Sequence, residues 1–117
     1  MGSDAKKYIK RVLKYLRDLA DPPDSFVHRE TKHHVVSLSL LGEKLTWTFP
    51  KTPSDYRSRK NISTMIRRDL RRVGAVPDRA LLGFLTEDIV RRDQLVEDLL
   101  SFLDSEAKIA WREETGG

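Results

Sequence analysis

The spacing of apolar positions along this chain changes twice. Between residues 5 and 20, Ile9, Val12, Leu13, Leu16 and Leu19 recur three or four apart, the stripe of an amphipathic helix. Lys6, Lys7, Lys10, Arg11, Lys14 and Arg17 cover the rest of that helix. Asp4 is placed to cap its start, and Asp21-Pro22-Pro23 ends it, because proline cannot continue the hydrogen-bond ladder. The period then shortens to two. Ser25 to Glu30 reads as a short strand around Phe26 and Val27. His33 to Leu41 sets Val36, Leu38 and Leu40 against Val35, Ser37 and Ser39, and Lys44 to Phe49 sets Leu45, Trp47 and Phe49 against Lys44, Thr46 and Thr48. With a tight turn at Gly42-Glu43, these runs predict an antiparallel hairpin with one buried face.

After Pro50 the helical period returns, with Ile62, Met65, Ile66, Leu70 and Val73 on one stripe. Thr52 or Ser54 can cap this helix and Gly74 can close it. Beyond it, Pro77 to Leu85 holds an apolar cluster, Leu81, Leu82, Phe84 and Leu85, broken by Gly83. Thr86-Glu87-Asp88 is good helix-start chemistry, for a helix to about Trp111 with Ile89, Val96, Leu99, Leu100, Leu103, Ala107 and Ala110 inward. The expected class is α+β: an α-β-β-β-α domain over residues 5–76, its three-stranded antiparallel sheet closed by two helices, with a C-terminal helical extension over 77–112. That extension can pack on the other sheet face, form a homodimer seam through residues 86–111, or hold a partner.

Composition narrows the class. The 117 residues suit one domain with one core, and 38% hydrophobic against 34% charged residues is a globular balance on the polar side. No apolar run reaches the length of a membrane span, and no signal-peptide pattern opens the chain. The absence of cysteine excludes disulfides and thiolate metal sites, so a cytoplasmic protein is expected. The net charge of +4 is unevenly spread. Residues 1–50 carry nine basic and six acidic side chains, 51–76 carry eight and two, and 77–117 carry five and ten. A basic middle before an acidic tail points to an anionic partner, or to two ends that neutralise each other within one fold.

The basic middle is the strongest chemical signal. Phosphate binding needs several cations on one rigid element, and arginine adds bidentate geometry. Lys60, Thr64, Arg67, Arg68 and Arg71 fall opposite the apolar stripe, with Arg57 and Arg59 about a turn earlier. These are the candidate nucleic-acid-binding residues. Tyr56 is the one aromatic among them, which favours contact with a duplex backbone over base stacking. No P-loop, dinucleotide fingerprint, nucleophile elbow or HExxH occurs, and no cofactor is expected. His28, His33 and His34 lie close in sequence. Adjacent strand residues face opposite ways, so His33 and His34 cannot share a metal, and no metal site is expected; His28 can approach one of them across a hairpin. An imidazole beside a cationic helix can act as general acid or base on a phosphodiester, or be an ordinary strand residue.

The order helix–strand–strand–strand–helix, with KHHVVSLSLLGEKLTWTFPKTP leading into NISTMIRRDLRRVGA, resembles the HicA-type toxins over residues 8–76. Those are small mRNA interferases with a double-stranded-RNA-binding-domain fold. In that family a histidine pair opens the central strand, the next strand ends in proline and a basic residue, and the last helix ends in glycine. His33-His34, Pro50-Lys51 and Gly74 stand in those places, so the resemblance implies that His34 is the catalytic residue of an RNA endonuclease. Thr31-Lys32 replaces the family's Gly-Ser, no histidine follows Pro50-Lys51, and the acidic helical tail has no counterpart in the minimal toxin. The expected function is therefore nucleic-acid binding, to structured RNA or a duplex backbone and to RNA ahead of DNA. The alternative is a phage- or toxin–antitoxin-type regulator that inhibits a host protein through its helices.

Overall fold

The computed structural model describes residues 2–76 and 87–116, with side chains described for 5–76 and 91–116. Thr86 and the cluster Leu81, Leu82, Phe84 and Leu85 lie outside those residues, as does the side chain of Ile89. The order is α1 (Gly2–Leu19), β1 (Val27–Glu30), β2 (His34–Leu40), β3 (Glu43–Phe49), α2 (Tyr56–Arg72) and α3 (Glu87–Thr115). This is an α+β fold with one three-stranded antiparallel sheet, in the order β1-β2-β3. Helix α1 begins before Asp4, which therefore sits within the first turn and not at the cap.

Strand register follows from the alternation of apolar residues. Val36 pairs with Trp47, Leu38 with Leu45 and His34 with Phe49, all buried on one face. Ser37 pairs with Thr46 and Val35 with Thr48 on the other. A two-residue turn joins β2 to β3 at Leu41 (φ 53°) and Gly42 (φ 79°). Two successive positive φ values match the strand twist; glycine accepts this freely, whereas Leu41 holds it against its own Cβ.

Helices α1 and α2 lie on the apolar face of the sheet, α1 against β2 and α2 against β3. The Trp47 Nε1–H donates to Asp69 Oδ2 at 2.8 Å and ties α2 to β3. Phe49, Leu16, Leu38, Leu45, Ile66 and Leu70 are among the fully buried side chains, each stabilising the fold by about 1.5–3 kcal/mol. Helix α3 crosses α1 and runs most extensively along α2. Its Val96, Leu99, Leu100 and Leu103 enter the same core, and Ala107 and Ala110 are also buried. Among the described residues α3 thus packs on the helices, and its inward residues Val96, Leu99, Leu100, Leu103, Ala107 and Ala110 are buried within the chain itself. Among the described residues, no helix is long and apolar enough to cross a membrane.

Candidate nucleic-acid interface

The start and stop of α2 decide which of its cations face outward. Asp55, and not Thr52 or Ser54, caps the helix: its carboxylate accepts from the Ser58 N–H at 3.3 Å, and that bond lowers its pKa. At the other end Gly74 takes the left-handed conformation, its N–H donating to Arg71 O at 3.1 Å while Ala75 N–H donates to Leu70 O at 2.8 Å. That is a Schellman closure, with Leu70 and Ala75 both buried beneath it.

Between these ends the cations divide. Arg57, Lys60, Thr64, Arg68 and Arg71 are exposed, as the stripe predicts. Arg59 is not: it is 7% exposed, its Nε donates to Pro53 O at 2.9 Å and its Nη1 meets Glu106 Oε2 at 3.0 Å. Its guanidinium also lies 4.8 Å from the centre of the Tyr8 ring. Three positions before Ile62, Arg59 belongs to the buried stripe, and α3 supplies the acid that makes this burial tolerable. The Tyr8 hydroxyl beneath it has no hydrogen-bond partner among the described residues, and burial holds its pKa above the ordinary tyrosine value. Arg67 is half-committed, its Nη2 reaching Asp104 Oδ2 at 2.6 Å while Ser63 Oγ donates to the other oxygen of that carboxylate at 3.0 Å. Glu114 accepts from the Tyr56 N–H at 2.9 Å. Three acids of the tail therefore turn toward α2.

A groove of about 480 Å³ runs between α2 and α3. Lys60, Thr64 and Arg67 line one wall; Lys108, Trp111 and Arg112 line the other. Tyr56 closes one end, with Lys60 Nζ 5.6 Å from its ring centre. Trp111 is 50% exposed. Sequence reasoning missed Lys108, Trp111 and Arg112, although their i, i+3, i+4 spacing puts them on one helix face. On α1, Lys6, Lys7, Lys10, Arg11, Lys14 and Arg17 are all exposed, and among the described residues none forms an ion pair. Arg11 lies over the Phe102 ring at 4.8 Å.

His28 and His34 meet where β1 pairs with the start of β2. His28 Nε2 and His34 Nδ1 are 2.9 Å apart with their rings stacked, so one nitrogen donates and the other accepts. Register explains the pairing, since Glu30 lies opposite His34 and places His28 diagonally across from it on the same face. His34 is 8% exposed, His28 and His33 are exposed, and Lys51 reaches Glu30 at 3.9 Å. Burial lowers the His34 pKa, Glu30 opposes that, and His28 and Lys51 add to it. A neutral imidazole there can accept a proton, but the member of the pair open to a ligand is His28. Among the described residues no cluster of three metal-ligating side chains forms. No family model, no curated protein and no solved structure matches the chain.

Proposed function

We propose that this protein binds nucleic acid, RNA ahead of DNA, through the outward cations of α1 and α2, and that it acts in the cytoplasm. The observation that carries the reading is the unequal fate of charge. Asp104, Glu106 and Glu114 are directed at α2, whereas Lys7, Lys10, Lys14, Arg57, Arg68 and Arg71 remain on the surface. An overall balance of +4 thus becomes a cationic exterior on the first two helices. The resemblance to HicA-type toxins supports RNA as the partner. It supports cleavage less, because the family's catalytic position, His34, is buried and bonded to His28. The host-protein reading relied on an exposed acidic helix, and three of that helix's acids are engaged internally.

Anisotropy of a labelled RNA hairpin, titrated at several salt concentrations, tests the proposal. Replacing Lys7, Lys10 and Lys14 with Ala, or Arg68 and Arg71 with Ala, should weaken binding about equally across sequences. For every phosphate that a variant no longer neutralises, the slope of log affinity against log salt should flatten by about 0.9 on a duplex. Affinity and slope unchanged in both variants would remove the proposal.

A further inference from the structure

We infer that the groove between α2 and α3 is a subsite for one unpaired nucleotide of the bound strand, its base stacked on Trp111 and its phosphates held by Lys60, Lys108 and Arg112. This rests on the nucleic-acid reading and narrows it. The two tryptophans of the chain have opposite surroundings. Trp47 is 3% exposed and bonds Asp69, whereas Trp111 is half in solvent on the wall of a groove. An indole left open between cations offers a flat apolar face beside charges suited to phosphate, the pairing that single-strand sites use.

The rest of the groove fits the same occupant. Lys60 sits against the Tyr56 ring, which restrains its ammonium at one end. Asp104 fixes the Arg67 guanidinium, whose side chain is still 30% exposed, so a planar donor is already in place on the wall. Thr64 adds a hydroxyl that can bond ribose or phosphate oxygen. The volume of about 480 Å³ lies within the range of small-molecule sites. A base inside a helix has both faces covered by its neighbours and cannot reach Trp111; a bulged, looped or terminal base can. The groove therefore separates unpaired from paired strands, which rows of cations alone cannot do.

The test compares two RNA hairpins of equal length and charge, one fully paired and one with a single bulged nucleotide. The protein should bind the bulged hairpin more tightly, by on the order of tenfold. Trp111→Ala should abolish that preference while leaving affinity for the paired hairpin unchanged, and Trp111→Phe should keep most of it. The part of the fluorescence that Trp111→Phe removes should be quenched by the bulged hairpin only. Equal affinity of the unaltered protein for both hairpins, or an equal drop for both in Trp111→Ala, overturns the subsite and leaves the nucleic-acid reading standing. Absence of salt-dependent binding to either hairpin overturns both. Unchanged urea denaturation of Trp111→Ala distinguishes loss of stacking from loss of fold.

Discussion

Helices α1 and α2 look alike as sequences: each sets an apolar stripe into the same sheet face and covers its other side with Lys and Arg. In the folded chain they differ. The cations of α1 stay in solvent, with no acid within ion-pair distance among the described residues. On α2, Arg59 is buried against Glu106 and Arg67 is held by Asp104, while Arg57, Lys60 and Arg71 form no ion pair among the described residues. The difference comes from α3, which runs along α2 and brings its carboxylates there. A cation's role is thus decided by the element packed beside it, not by local charge density. The first helix offers charge alone; the second offers charge with shape.

The largest effect expected from this contrast is on stability. Arg59→Met should cost about 2–3 kcal/mol, because it strips the partly buried Glu106 of its partner and leaves Pro53 O without its donor. Lys10→Met on α1 should cost less than about 0.5 kcal/mol. Urea denaturation of the two variants side by side measures both, and equal losses would break the contrast. A smaller effect is expected at the His28–His34 pair. The His34 pKa is lowered in the fold, so the unfolded chain takes up that proton more readily. Its contribution is then fully present above about pH 6.5 and lost as pH falls through the folded pKa. The stability advantage of the native protein over His34→Gln should shrink between pH 7.5 and 5.5. A pH-independent difference would refute it. A modest effect of opposite sign is expected at the β2–β3 turn. Leu41→Asn should raise stability by about 0.5–1 kcal/mol, because asparagine tolerates positive φ better than leucine, with RNA affinity unaltered. Calorimetry and the hairpin titration check these two halves.

Much of the fold was legible because single-residue periodicity controls it. The inward residues of α1, both hairpin strands and the Ile62–Ile66–Leu70 stripe stand where alternation and helical spacing put them. Gly74 closes α2 as expected from its place after the last apolar residue. The helix starts were less legible. Several residues of the stretch 52–55 can cap, and Asp55 is the one whose carboxylate meets the Ser58 N–H. The site was half legible. Lys60, Thr64 and Arg67 were visible as one face of one helix, but the groove needs a second wall from residues more than 40 positions away. Trp111 then read as the end of a helix, because nothing local tells which wall it joins. Arg59 stands on the buried stripe by spacing, but its partner Glu106 is 47 residues distant and no local signal names it.

The bonds that hold α2 to its neighbours also differ in the length of chain they close. The Trp47–Asp69 bond links residues 22 apart, whereas Ser63 and Arg67 reach Asp104 across 41 and 37 residues and Arg59 reaches Glu106 across 47. Closing the longer loops costs less than about 1 kcal/mol more, so chain separation alone hardly penalises the distant bonds to α3. Without α3 packed along α2, the chain has its cations but no groove. The discrimination inferred for the groove therefore depends on α3, the helix farthest along the chain.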